Sequence, residues 1–359
     1  MSPSAKAFLF DILSTPSPTG FEMNAQRKWA AHVAPFADSV ECDAYGNTWA
    51  TLKSTKADAP TLMLEAHADE IGFMVKFIAE NGFVYLDRIG GSDSAVARGR
   101  KIHILADKGE VTGIIGNTAV HLRGRSADEK VPQTHDLFVD VGASSARAVE
   151  KLGIRVGHPA VYADSAEELA GRRICGRALD NRVGGYILAA VMEKLSKAKS
   201  RPAANIVALN AIHEEIGGAG SRMVSHRLRP DAAIVLDVTH ATDSPGINKA
   251  QHGDVKLGGG PSVTHGTANH PLLVRRLRDL AEKKKIPLQH EGFSHTTGTD
   301  TDRIYQTADG IPAALVSLPL RYMHTVVELI DLRDVDWTVE LLAAAAKSMK
   351  DKREFWNTL

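Results

Sequence analysis

Apolar residues recur at helical spacing over residues 4–14 and 22–34, with the turn Pro16-Ser-Pro-Thr-Gly20 between them. Both stretches read as amphipathic helices. Residues 40–53 read as a hairpin around Asp43-Ala-Tyr-Gly46-Asn47, and the short apolar run 61–66 suits a strand buried on both faces. From about Gly72 the pattern changes to alternation. Residues 73–78 and 83–89 flank Asn81-Gly82, and 102–106 and 111–115 flank Asp107-Lys-Gly109, both hairpin signals. Short strands at 137–141 and 160–162 and a helix at 145–152 complete a β-rich stretch, which predicts a small barrel or sandwich.

After about Ala163 the helix–strand rhythm resumes. Helices are expected over 182–197, 271–285 and 335–350, and strands over 206–212, 233–237 and 313–318. Buried strands alternating with amphipathic helices predict an α/β fold, with a mainly parallel central sheet and helices on both faces. The expected division is a catalytic domain of residues 1–71 and 164–359 interrupted by a β-rich insert at 72–163. In such sheets ligands bind beyond the carboxyl ends of the strands.

Four of these strand ends run into ligand-type side chains. Residues 61–66 end in His67-Ala-Asp69-Glu70, 206–212 end in His213-Glu214-Glu215, and 233–236 end in Asp237. The strand 313–318 leads through Pro319-Leu-Arg-Tyr-Met to His324, and Asp180 lies just before a helix. A single histidine at a strand end is usually structural, but four such ends on one rim point to a shared site. Imidazole and carboxylate without thiolate suit Zn²⁺, Co²⁺ or Mn²⁺. A pair of metals about 3.5–4 Å apart needs a bridging carboxylate and terminal ligands on each side. A further carboxylate must then carry the proton of the attacking water. Adjacent Glu214 and Glu215 point in different directions, so one can reach a metal while the other addresses the water. Asp69, two residues beyond His67, can accept the second imidazole N–H and fix the tautomer.

Several motifs together resemble one family, the tetrahedral aminopeptidases, which include glutamyl aminopeptidases and proteins historically labelled endoglucanase M. They are His67-Ala-Asp69-Glu-Ile-Gly72, Leu179-Asp180-Asn-Arg-Val-Gly184, His213-Glu-Glu-Ile-Gly217, Leu236-Asp-Val-Thr-His-Ala241, Gly298-Thr-Asp300 and Pro319-Leu-Arg-Tyr-Met-His324. They run in family order over nearly the whole chain. The resemblance implies a zinc-aminopeptidase-like fold that hydrolyses N-terminal residues of peptides with two divalent ions, Zn first and Co or Mn as alternatives. It implies Asp180 as the bridging carboxylate, His67 and Asp237 on one metal, and Glu215 and His324 on the other. Glu214 becomes the general base and Asp69 its orienting partner. It also implies dimers through the insert, assembling into tetrahedral dodecamers. Two departures, Gly217-Gly218-Ala-Gly220 after the Glu pair and the acidic Asp300-Thr-Asp302, bear on substrate preference.

Composition narrows the field. Lys+Arg and Asp+Glu both number 43, so net charge gives no reason to expect nucleic acid or an anionic membrane as partner. No segment reaches the roughly 18–20 apolar residues of a membrane span, and the opening apolar stretch, broken by Asp11, is too short for a signal peptide. Cys42 and Cys175 read as buried reduced thiols of a cytoplasmic protein. His103, His121, His135 and His158 read as structural or solvated, His213 as facing away from the Glu pair, and His240 equally as a pocket-lining or a hydrogen-bonded turn residue. His252, His265, His270, His290 and His295 fall in loops near the expected mouth, where some could touch substrate or a neighbouring subunit. The alternative activities are an N-acyl amino acid deacylase or carboxypeptidase on the same scaffold. A glycosidase would place two carboxyls across a bond, about 5–9.5 Å apart, which adjacent Glu214 and Glu215 do not suit.

Overall fold

Successive residues of a strand face opposite sides, and in Leu62-Met63-Leu64 both sides are apolar, so this strand must be covered from above and below. The computed structural model describes residues 1–122 and 131–358. Its first strands are β1 (Ser39–Cys42), β2 (Thr48–Leu52) and β3 (Thr61–His67). Then come β4 (Gly72–Ile78), β5 (Val84–Ile89), β6 (Lys101–Ala106), β7 (Gly109–Ile115), β8 (Phe138–Asp140) and β9 (Pro159–Tyr162). The rest are β10 (Glu167–Leu169), β11 (Arg173–Gly176), β12 (Asn205–Ala211), β13 (Ala232–His240), β14 (Ser262–His265), β15 (Gln289–Gly292), β16 (Ala313–Leu320) and β17 (Glu328–Asp331).

Eight strands form the main sheet in the order β1-β2-β12-β3-β13-β16-β14-β15. The central strands β12, β3, β13 and β16 are mutually parallel, as expected. Leu62, Leu64, Ile206, Ile234 and Val316 pack on one face under the long helices Pro3–Ser14, Met23–Val33, Leu179–Ser196, Pro271–Lys284 and Leu332–Ser348. Met63, Val207, Leu209 and Val235 pack on the other, where Val224 of the helix Ala219–Leu228 and Ile304 of a short helix cover them. Helices thus lie on both faces, with unequal thickness.

Strands β4 to β9 close into a barrel in the order β4-β5-β8-β7-β6-β9. Its alternating residues Phe73, Val75, Val84, Leu86, Ile102, Ile104, Val139 and Tyr162 fill a core of their own. A third, three-stranded sheet, β10-β11-β17, was not foreseen. The edge strand β1 exposes half of its residues, Cys42 among them, and Cys175, on β11 of the three-stranded sheet, is half-buried. The expectation of two buried thiols is corrected accordingly.

A buried ion set locks the N-terminal helix to the sheet. Glu70 accepts from the Ser17 N–H at 2.9 Å and from Arg182 Nη2 at 2.9 Å, and it pairs with Arg177 Nη1. The two guanidiniums also donate to the carbonyls of Ile12, Ser14 and Thr15 at the C-terminal end of helix Pro3–Ser14. Helix C-termini favour cations, so each Arg serves both the Glu and the orphan carbonyls. Losing one member of such a buried set costs about 3–5 kcal/mol, because the rest stay desolvated and unpaired.

Candidate metal centre and active site

Strand register brings the predicted ends to one level. His67 lies opposite Ala211, Glu65 lies opposite Val235, and Asp237 lies opposite Ser317. Beyond them the chain continues into Glu214 and Glu215 on one side and toward His324 on the other. Asp180 enters from β11 at the start of helix Leu179–Ser196. Asp180 and Asn181 have non-helical backbone angles, so the regular helix starts at Arg182.

Among the described residues two groups of donor atoms result, and they share one residue. His67, Asp180 and Asp237 form the first; Asp180, Glu215 and His324 form the second. His67 Nε2 lies 3.2 Å from Asp180 Oδ1 and 3.8 Å from Asp237 Oδ1. His324 Nε2 lies 3.3 Å from Asp180 Oδ2 and 3.5 Å from Glu215 Oε2. The two oxygens of Asp180 therefore face different groups. Ligands at about 2.0–2.1 Å from a tetrahedral zinc are separated by about 3.3–3.4 Å, which is close to this spacing.

The electrostatics point the same way. Burial alone would lower both imidazoles, but Asp180, Asp237 and Asp69 around His67, and Asp180 and Glu328 around His324, hold them above the ordinary range. Burial and neighbouring acids push Glu214, Glu215 and Asp237 upward. Carboxylates crowded this way lack positive charge, and divalent cations between the two groups would relieve both the repulsion and the pull on the imidazoles. Donor type, spacing and charge all fit such ions.

Asp69 ties the halves of the site together. Its Oδ1 accepts the Glu214 N–H at 3.1 Å, and its Oδ2 accepts the Glu215 N–H at 3.2 Å and the Thr19 hydroxyl at 2.8 Å. Burial works against this carboxylate, yet these bonds and His67 keep it below its ordinary value. The nearest acceptor for His67 Nδ1 is the Asp69 backbone carbonyl at 3.1 Å, with the carboxylate at 3.5 Å. Residue 69 thus meets the ring mainly through its main chain. Glu214, with its side chain 14% exposed, lies 3.9 Å from His67 Nε2 and lines a cavity of about 690 Å³.

Sequence reasoning missed two contributors, Glu328 and Gly91, and gave Asp300 no role in the site. Glu328, on β17, accepts the backbone N–H groups of Asp180 and His324. Gly91, in the loop after the barrel strand β5, leaves room for a ring: a Cβ there would sit 2.4 Å from His324 Nδ1. Asp300 is buried beside Glu65, and burial raises it to about 6. The adjacent glycines Gly90-Gly91 were the available signal, because such a pair permits close approach of another group. Among the declined histidines, His158 is buried against Asp107 at 3.2 Å, and His213 points to Glu22 at 3.7 Å. Neither joins a donor group.

A parallel sheet that assembles two carboxylate–imidazole groups around a shared aspartate belongs to the metal-dependent hydrolases. Residues 46–341 match the family described as M42 glutamyl aminopeptidase, and the chain belongs to that family. It is thereby an aminopeptidase, a hydrolase of peptide bonds, in a metal-dependent family. The lysyl aminopeptidase of Pyrococcus furiosus is 33% identical over 341 residues, 94% of this chain and 96% of that protein. An aminopeptidase structure from the archaeon Desulfurococcus kamchatkensis superposes with a TM-score of 0.91 at 31% identity, covering 98% of this chain and 97% of that one. The TET1 peptidase of Pyrococcus horikoshii, which can assemble into a tetrahedron or a large octahedral shell, gives 0.85 at 27% identity over 96% and 100%. The resemblance to tetrahedral aminopeptidases is borne out, and the deacylase alternative is not favoured.

Proposed function

We propose that this chain removes N-terminal residues from peptides with two divalent ions, His67 and Asp237 holding one, Glu215 and His324 the other, and Asp180 bridging them. The observation that carries this reading is Asp180, whose two oxygens lie 3.2 and 3.3 Å from imidazole nitrogens of different groups. A donor set without thiolate supports Zn²⁺, with Co²⁺ or Mn²⁺ as alternatives. Bound there, the ions would supply Lewis-acid polarisation of the scissile carbonyl and acidify the attacking water. Glu214 takes the proton of that water and passes it to the leaving amine. Asp69 keeps His67 oriented and, through the two amides it accepts, fixes the loop that carries Glu214.

The test strips the metal and measures hydrolysis of aminoacyl-nitroanilides, with N-acetylated controls, before and after adding Zn²⁺, Co²⁺ or Mn²⁺. Cleavage of free-amine substrates alone, restored by metal, is expected. Activity surviving complete metal removal overturns the metal reading, and cleavage of blocked substrates alone moves the activity to a deacylase.

We also propose that residues 72–163 form a separate domain, inserted between 1–71 and 164–359, through which a homo-oligomer assembles. The core of the closed barrel, built from residues 73–162 with Val326 as its one buried member from outside, supports this division, and the assembly of the Pyrococcus horikoshii relative supports the oligomer. Exposed Phe77, Ile114 and Val156 give the barrel apolar surface for a second copy. Light scattering is expected to show a dimer or larger particle, and a lone monomer would remove the oligomer. The two free cysteines accord with a cytoplasmic location.

A further inference from the structure

We infer that Glu328 is a positioning residue that holds Asp180 and His324 at the distance a metal ion requires, an inference that rests on the ligand assignment above. The three-stranded sheet explains its reach. Strands β11 and β17 are antiparallel, and Gly176 lies opposite Glu328. Just past Gly176 the chain from β11 delivers Asp180, and just before Glu328 the loop into β17 delivers His324. Glu328 thus stands where the two ligand-bearing loops diverge. Its side chain is buried, with Oε2 accepting the Asp180 N–H at 3.1 Å and Oε1 accepting the His324 N–H at 2.9 Å.

The backbone around His324 needs such a hold. Tyr322 and His324 have φ of 61° and 60°, the left-handed region that bulky residues avoid. Such conformations are costly and persist only where the surroundings enforce them. The bond from the His324 N–H to Glu328 is one direct enforcement. Asp69 plays the matching part across the site, gripping the amides of Glu214 and Glu215. The two carboxylates differ in what they grip: Glu328 holds the bridging residue and a ligand of the second group, but no residue found only in the first. Its loss therefore falls chiefly on the ion held by Glu215 and His324.

Replacing Glu328 by Gln keeps the shape but turns an NH₂ toward one of the two amide donors. Replacing it by Asp keeps the charge but shortens the arm, so the carboxylate can reach one amide but not both at once. The experiment titrates Zn²⁺ into the metal-stripped full-length chain by calorimetry, with circular dichroism of each variant as the fold control. Wild type is expected to fill two sites. Glu328→Gln is expected to weaken one of them by about 10–100-fold, the range typical for partners behind a metal ligand, and the other, which shares Asp180, distinctly less; Glu328→Asp is expected to fall between wild type and Glu328→Gln. Wild-type affinity at both sites in the variants overturns the inference alone. Equal weakening of both sites, or failure of both variants to fold, also overturns it, by making Glu328 a general support of the fold. A wild type that binds no pair of ions overturns the ligand assignment instead, so the two failures are distinguishable.

Discussion

Glu214→Gln is expected to retain both metal ions and lose about 10²–10⁴-fold in kcat, the usual contribution of a positioned acid–base group. The substitution is isosteric and removes only the capacity to carry a proton. The backbone N–H of residue 214 still reaches Asp69 Oδ1, so the loop keeps its anchor. KM should change little, and kcat and kcat/KM should fall together, as for an interaction made only in the transition state. Steady-state kinetics and metal content measured on one preparation check this. A variant near the wild-type rate would take the proton-carrying role away from Glu214. A variant that lost its metal would show that the side chain is a ligand.

Asp180→Ala is expected to be more severe, because it strikes both ions together. Asp180 is the one residue common to the two donor groups. Without it, each group keeps a single imidazole and a single carboxylate. Activity should fall by more than the ~10–100-fold typical for partners behind the ligands. A ligand that binds only the folded state raises stability in proportion to its occupancy. Added Zn²⁺ should therefore raise the melting temperature of wild type and leave that of Asp180→Ala nearly unmoved. A variant whose melting temperature still climbs with Zn²⁺ would show that the bridge is dispensable for binding.

The sheet and most of the site could be read from residue order, for reasons specific to each element. Residues 61–66 and 233–236 read as doubly covered strands, and His67 does stand at the carboxyl end of β3, whereas β13 runs on to His240, so Asp237 lies within the strand. What residue order could not supply is which ends converge. His67 and Asp180 are 113 positions apart, and the packing of helix Leu179–Ser196 against β3 brings them within 3.2 Å. Helix Ala219–Leu228 escaped notice because Gly217, Gly218 and Gly220 read as a turn. Gly220 is in fact packed so tightly that a Cβ would lie 2.3 Å from the Ile212 carbonyl oxygen. Strand β15, with two of its four residues exposed, carries no apolar alternation to betray it. Glu328 sits in an apolar run, Thr325-Val-Val-Glu-Leu-Ile, where an isolated acid looks like a surface residue on a strand. Its burial follows from the two amides that it satisfies.

Gly91 belongs to a loop of the barrel, yet its missing side chain is what the His324 ring occupies. The barrel is therefore not freely interchangeable. A chimera that grafts in a relative's barrel must carry a glycine at this position, or it would crowd the His324 ring while every residue of the main sheet stayed the same. Recombination between family members is constrained in the same way: a crossover point in sequence is tolerated only where the incoming loop leaves that gap open.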